Sequence, residues 1–484
     1  MIKKGLFFLQ PFFILILQSY FVTVCMSSKE KQFKKASEEK AFDLNHRKKI
    51  NFNISKYLES FEKGKSQYQN LDEVKLLASE IKKESLLNLD YFLQLFSDNF
   101  EKNGGKVYWA YDVEEANNYI KRILQQEKAK IIVKSKSITT EELKLNEFLE
   151  KRNYDVYETD LGEFIVQVAG EKPYHIVTPA MHKSKEDIAL LFNEKFNTSK
   201  DATPQELTLF VRKLLREKFI NADVGITGAN FILPDIGGIS ITENEGNGLL
   251  TAAFPKVHIA IVGIEKVIPS VKYLSLFLPL LSTHGTGQYM SVYNTIYTSS
   301  GINDIDGPQK MYVILLDNGR SDLYAEEETN IALSCIRCGA CLNVCPVYQN
   351  IGGYTYNVPY TGPIGSIISP YYEGIKEYKH LSFACTLCGK CTETCPVKIP
   401  LHELLLLNRK KFVEREGDSF LFEKGIKFYE YLMKDRKHLD IVNGNIKNFF
   451  VKTFAKNSLG DKKEPPTFAK HSFAKMFEKQ KNKD

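Results

Sequence analysis

Apolar positions in this chain change their spacing from one region to the next, and each spacing predicts a different kind of element. From Met26 to about Asn103 the chain is charged. Apolar residues such as Leu71, Val74, Leu77 and Ile81 recur there at helical intervals, which predicts a helical lead-in. From about Gly104 to Tyr324, short apolar runs alternate with helical segments. Ala129–Val133, Phe164–Val168 and Val257–Val262 read as buried strands. Asp112–Leu124, Lys185–Lys195 and Thr203–Phe219 read as helices, the last with Pro204 just inside its start. That alternation predicts an α/β domain with a mainly parallel sheet. Further on, Val347–Ala384 carries Pro359, Pro363 and Pro370, then a helix over Tyr371–Tyr378. Leu401–Leu407 reads as a buried helix. From about Lys410 the chain is helical and basic, ending in a Lys-rich tail with Pro465, Pro466 and recurring Phe-Ala-Lys units at Phe454, Phe468 and Phe473. The tail reads as a solvated end or as a docking strip for an acidic partner. The expected divisions are 1–25, 26–103, 104–324, 325–409 and 410–484.

Eight of the nine cysteines fall into two copies of one spacing, C-x₂-C-x₂-C-x₃-C-P. One copy is Cys335, Cys338, Cys341 and Cys345 before Pro346; the other is Cys385, Cys388, Cys391 and Cys395 before Pro396. This is the ligand pattern of a two-cluster ferredoxin-type module, in which the fourth cysteine of each run serves the other cluster. The expected ligand sets are therefore Cys335, Cys338, Cys341 and Cys395 for cluster one, and Cys385, Cys388, Cys391 and Cys345 for cluster two. The middle cysteine of the close-spaced three, Cys338 or Cys388, is present in both runs and favours [4Fe–4S] over a three-iron cluster. Gly339 and Gly389 follow the second cysteines, where a loop wrapped round a cluster needs positive φ. A disulfide framework would spread cysteines through a short secreted chain, and paired zinc sites use other spacings. The long spacer between the runs favours a helical ferredoxin domain over the β-hairpin type.

The 484 residues suffice for several domains, and a net charge of +6 without an arginine-rich block does not imply nucleic acid. Cysteine-free middle sequence and labile clusters point to a reducing, cytoplasmic setting. The N-terminus disagrees: Lys3 and Lys4 precede a run from Leu6 to Val24 that resembles a signal peptide or short anchor, interrupted by Gln10, Pro11 and Gln18. No small residue precedes Cys25, and Met26 opens a polar stretch. A mis-called start codon is therefore the leading expectation, with peripheral membrane association through residues 1–25 or an export signal as alternatives.

A second informative stretch runs from Ala222 to Asn247 and is dense in glycine, asparagine and acidic residues. Gly225, Gly228, Asn230, Glu243, Asn244, Glu245 and Asn247 form a candidate ligand loop, since such turns permit close approach to a polyhydroxy or anionic ligand; Gly/Asn-rich turns also occur for purely structural reasons. Neither the dinucleotide fingerprint nor a phosphate-cradling lysine loop is present. His175, His182 and His284 are acid/base candidates or hydrogen-bonded structural histidines. Lys134, Lys136, Glu141 and Glu142 fall in a strand-to-helix turn that could meet a carboxylate or simply cap a helix.

Gly225–Asn230, Glu243–Asn247, Lys134–Glu142, Glu158–Glu163, His175–His182 and the two cysteine runs together resemble the lactate-utilisation iron–sulfur protein B family, from about Phe33 onward. The family often has a Thr-Gly pair where this chain has Asp235-Ile236-Gly237-Gly238. The resemblance implies a sugar-isomerase/CoA-transferase-like α/β domain followed by the ferredoxin domain. It also implies two companion subunits and NAD-independent conversion of L-lactate to pyruvate. Three functional readings follow. The chain relays electrons through two [4Fe–4S] clusters from lactate oxidised on another subunit, to an acceptor the sequence does not name; or its α/β domain itself binds and oxidises a 2-hydroxy acid; or the clusters only hold the fold together. The relay is preferred, because no flavin or nicotinamide site accompanies the one-electron clusters.

Overall fold

The computed structural model describes residues 27–299 and 307–416, with shorter stretches beyond, of which 444–450 and 467–482 are the longest. The apolar leader and Phe454 lie outside the described residues. The chain divides into two compact units: Gln32–Lys410, and the described parts of Met1–Lys31 and Lys411–Asp484. In the latter, Phe473–Lys481 forms a short helix capped by Ser472.

The larger unit is built on a six-stranded sheet of β1 (Lys106–Ala110), β2 (Ile131–Lys134), β3 (Asp155–Glu158), β4 (Val224–Thr227), β7 (Val257–Gly263) and β9 (Lys310–Leu316). Its order is β1-β9-β7-β4-β2-β3 and every pairing is parallel. β5 (Phe231–Leu233), β6 (Gly238–Glu243) and β8 (Tyr293–Tyr297) form a separate antiparallel sheet. A parallel sheet needs both faces covered, and the strand sequences show how. In β7 and β9, Ile259, Ile261, Tyr312 and Ile314 face one core with Ile120 and Ile123. The intervening Ala260, Val262, Met311 and Val313 face another with Phe92, Phe96 and Phe100. All seven residues of β7 are buried.

Helices α1 (Ser28–Ala41), α2 (Leu44–Lys65), α3 (Leu71–Leu87) and α4 (Leu89–Lys102) precede the sheet, and α4 supplies the phenylalanines of the second core. On α3 the buried face is not the one apolar spacing predicts: Leu76 and Leu77 are half exposed, while Lys75, Ala78, Ser79, Ile81, Lys82 and Ser85 are buried. Hydrophobicity alone misplaces this face because two lysines on it find partners inside the protein.

The first core is covered by α5 (Val113–Gln126), α6 (Ile138–Glu142) and α7 (Leu145–Glu150). Phe164–Val168, read from sequence as a strand, lies instead in α8 (Leu161–Val168). The Asp160 side chain caps this helix by accepting from the Glu163 N–H at 3.0 Å. A short apolar run is ambiguous by period alone, and here the cap decides it. Helices α9 (Lys185–Phe196) and α10 (Pro204–Asn221) open with reciprocal capping boxes and pack with α8 through Phe164, Phe192 and Phe219.

The glycine-rich stretch, expected as a loop between strands, is largely β4, β5 and β6 themselves. A Cβ on Gly225 would stand 1.8 Å from the carbonyl oxygen of Thr251. Only glycine lets α11 (Asn247–Ala253) lie this close on β4.

After α12 (Leu274–Thr286), β8, β9 and α13 (Arg320–Tyr324), the remainder of the unit is helical: α14 (Ala340–Asn343), α15 (Pro346–Ile351), α16 (Gly362–Glu373), α17 (Ile375–Tyr378), α18 (Lys390–Thr394) and α19 (Leu401–Glu416). The helix expected over Tyr371–Tyr378 begins earlier, at Gly362, and is broken at Gly374, whose φ is +106°. Leu401, Leu404 and Leu405 are buried as expected, whereas Leu406 is exposed.

Candidate metal centre

The two cysteine runs fold as local copies. Each opens with a residue at positive φ two places after the first cysteine, Arg337 at +61° and Leu387 at +55°. Its backbone N–H points at that cysteine's sulfur, Arg337 N to Cys335 Sγ at 3.4 Å and Leu387 N to Cys385 Sγ at 3.3 Å. Gly339 and Gly389 then turn the chain, at +78° and +80°, into α14 and α18. Successive left-handed residues turn backbone N–H groups inward, as sites for anionic sulfur require. A Cβ on Gly339 would meet Ile176 and Val177, so the α/β domain packs directly on this loop.

α14 packs against α18, which brings the end of the second run to the start of the first. One partly open cavity is walled by Cys335, Cys338, Cys341 and Cys395, with Arg337 and otherwise apolar neighbours that include Ile176, Ile364 and Ile399. None of the other four cysteines lines it. Those four sit together: Cys391 feels the charge of Cys345, Cys385 and Cys388, and Cys345 that of Cys385 and Cys388. All eight are free thiols. Burial pushes the thiols of Cys345 and Cys395 up to about 11 and that of Cys391 up to about 12. Thiolates there need a metal-borne positive charge to replace the proton. Donor type, number and grouping fit an iron–sulfur cubane in each set. Cys388 is exposed, whereas Cys338, Cys341 and Cys395 are buried.

Beside the cavity lies a buried charge network that spacing did not reveal. Arg320 forks onto Glu142 through two 2.9 Å bonds and donates from Nε to Glu265 at 2.6 Å. Arg337 donates to the other oxygen of Glu265 at 3.0 Å. Tyr360 and Asn318 complete the contacts of Glu142. Lys82 donates to the carbonyls of Glu265 and Val267, both at 2.8 Å. Burial would raise the Glu265 carboxyl, but Arg320, Arg337 and Lys266 outweigh it and hold the group well below the usual carboxylate range. Burial pulls Lys82 down to about 7 and Lys266 to about 8. Lys75, one face-repeat before Lys82 on α3, donates to the carbonyl of Glu393 in α18. The sequence signal was present but quiet: two lysines seven residues apart on a helix whose leucines point elsewhere.

The candidate ligand loop has internal partners. Glu243 accepts from the N–H groups of Gly248 and Leu249, both at 2.7 Å, and so caps α11. Asn230 accepts from Thr242 N, Asn244 bridges Gln288 and Val292, and Glu245 accepts from Leu161 N. Asn247 lies between Glu243 and the Asp160 N–H. A Cβ on Gly228 would strike Ser137. The strand-to-helix turn after β2 forms a second buried cluster, in which Lys134 meets Glu158 at 2.7 Å, Glu141 at 3.4 Å and the Thr140 hydroxyl. Glu163 joins Glu141 and Glu158 there. Burial, then Glu158, push the Glu163 carboxyl well above its ordinary value.

The three histidines also have fixed partners. His175 accepts at Nδ1 from Val177 and Thr178, and burial lowers it to about 3. His284 binds the carbonyl of Leu280 through Nδ1 and is lowered by burial to about 3. His182 pairs with Glu171 at 2.8 Å. Neither His175 nor His284 exchanges a proton near neutrality.

Residues 93–316 match the LUD domain, and residues 331–399 match a 4Fe-4S dicluster domain. The dicluster match spans both runs, and the protein accordingly carries two [4Fe–4S] clusters. Curated relatives include lactate utilization protein B of Geobacillus sp. (strain WCH70), 46% identical over 73% of this chain and 75% of its own. The protein of that name from Bacillus subtilis (strain 168) is 44% identical over 73% and 74%. That from Anoxybacillus flavithermus is 46% identical over 73% and 75%. With the α/β domain, the paired cysteine loops and these relatives in agreement, the chain belongs to the lactate utilization protein B family.

Proposed function

We propose that this protein is the iron–sulfur relay subunit of a multi-subunit system that oxidises L-lactate to pyruvate. Cys335, Cys338, Cys341 and Cys395 hold cluster one, and Cys385, Cys388, Cys391 and Cys345 hold cluster two. The observation that carries the reading is the single cavity walled by three cysteines of one run and the last of the other. When bound, each cluster takes up and passes on one electron at a time. The chain's own part is to keep the two sites adjacent, bury the first and leave Cys388 of the second at the surface.

Oxidation of the hydroxy acid is assigned to a companion subunit. Most polar side chains of the glycine-rich stretch are engaged with this chain's own groups. Burial, with the charge of Asp160 as a lesser cause, raises the carboxyls of Glu243 and Glu245 above their ordinary value. A substrate carboxylate entering there would be repelled. The electron acceptor is a further partner, and no role for nucleic acid is proposed. Among the described residues no helix is long and apolar enough to cross a membrane.

The test is EPR with iron and sulfide analysis on anaerobically purified protein, titrated with lactate alone and then with the companion subunits. Reduction of the clusters only with the companions present is expected. Reduction by lactate alone would place the substrate site on this chain and end the relay reading.

A further inference from the structure

The buried network beside cluster one is unbalanced. Arg320, Arg337 and Lys266 bring three cationic groups and Lys82 a fourth basic one, and only the Glu142 and Glu265 carboxylates answer them within it. Excess buried charge of one sign is costly unless a counter-charge lies within reach. The residue nearest the cavity is also incompletely bonded: Nε and Nη1 of Arg337 are buried and find no hydrogen-bond partner among the described residues, although its Nη2 binds Glu265. Arg337 lines the same cavity as Cys335, Cys338, Cys341 and Cys395. Its ring neighbour Tyr360, 4.7 Å from the guanidinium carbon, and the Glu265 salt bridge keep it from turning outward.

We propose that Arg337, supported by Lys82 and Lys266 and held in place by Glu265 and Arg320, is the built-in counter-charge and sulfur hydrogen-bond donor of cluster one, and that it raises that cluster's reduction potential. The inference rests on the ligand sets proposed above. A cluster with four thiolates is anionic and becomes more so when reduced. A fixed cation in a dry site therefore favours the reduced form. Hydrogen bonds to cluster sulfur act in the same direction, and Arg337 has two N–H groups to give. Glu265 does the positioning: it grips Arg320 and Arg337 at once, and its backbone carbonyl receives Lys82. The network thus couples α3, the turn after β7, α13 and the first cysteine loop into one rigid support.

The test is a potentiometric EPR titration of the full-length, anaerobically purified protein. C335S is used first to identify which signal belongs to cluster one, and C395S should remove the same signal. R337Q should lower the midpoint of that signal by at least a tenfold change in its reduction equilibrium, about 59 mV for one electron. The signal of cluster two, an internal reference in the same molecule, should move far less. R337K should recover much of the shift, because it restores the charge. K82M should shift the midpoint in the same direction as R337Q, and it decides the matter if R337Q costs the cluster itself. An unchanged cluster-one midpoint in a fully loaded R337Q or K82M protein would overturn the tuning role. If C395S removed a signal other than the one C335S removes, the ligand assignment would fail instead, and the two failures are thereby distinguished.

Discussion

Cys395 and Cys345 are the residues on which the proposed ligand sets turn, because each serves the run it does not belong to. Cys395→Ser should lose cluster one and keep cluster two, and Cys345→Ser the reverse, each leaving roughly half the iron. Iron analysis with EPR would check this, with Cys335→Ser and Cys385→Ser marking the signal of each site; loss of the Cys385 signal in Cys395→Ser and of the Cys335 signal in Cys345→Ser would mean that each run holds its own cluster. Gly225 makes a different single-residue demand. Gly225→Ala drives a methyl into the Thr251 carbonyl, and is expected to destabilise the fold by more than the 1 kcal/mol or so typical of a point change, measured by urea unfolding. Glu163 offers a test of pH dependence. Its carboxyl holds a proton in the folded state that it releases when unfolded. The native state thus binds more protons, and stability falls as pH rises above the ordinary carboxylate value towards the raised one. Glu163→Gln removes that dependence. Its stability relative to the parent should grow between pH 5 and 8 by on the order of 1 kcal/mol or more, and a constant difference across that range would contradict the burial argument.

At the scale of elements, the clearest contributors are those whose sequence period and burial agree. α4 places Phe92, Phe96 and Phe100 under the sheet, and Phe96→Ala should cost about 3–5 kcal/mol in chemical denaturation, as large-to-small changes in packed cores do. β7 and α10 were legible for the same reason: one is an apolar run broken only by His258, the other opens on Thr203 and Pro204. α8 was misread because Phe164-Ile-Val is short enough for either period, although Asp160 three residues before Glu163 carried a helix-start signature. α3 was read as a helix, and it is one, but which of its faces turns inward was not legible. Its inward face contains Lys75 and Lys82, and no periodicity of apolar residues can announce a buried ammonium group whose partners are carbonyls over 180 residues away. The cysteine loops stood out completely, since chemistry there constrains residue type and spacing together, but their positive-φ residues Arg337 and Leu387 did not, because neither type favours that conformation.

Across the whole unit of residues 32–410, the α/β domain and the cysteine-rich helices share structure. Ile176 and Val177 pack on Gly339, and Arg320, just after the last strand, ties Glu142 of α6 to Glu265. Arg320→Met should destabilise the unit by about 3–5 kcal/mol by leaving the buried Glu142 carboxylate without its cation and Glu265 with Arg337 alone, and it should lower thermal stability in both domains together rather than in one. Two separate calorimetric transitions in that variant, with the sheet unaffected, would show that the network is local. The composite nature of this region explains what sequence could not supply: charge pairs joining residues 142, 265, 320 and 337 are long-range facts, visible only once the chain is folded.

The crossed cysteine sets also bear on how the protein is made. In the proposed arrangement Cys395 completes the first site and Cys345 the second, so neither set of four would exist on the ribosome until Cys391 has been synthesised. A chain stopped short of Cys385 would contain a full run yet no full site, and one stopped between Cys391 and Cys395 would have the second site but not the first. Iron–sulfur delivery is thereby deferred to a late, nearly finished polypeptide, and truncated products are left unable to accumulate both redox centres.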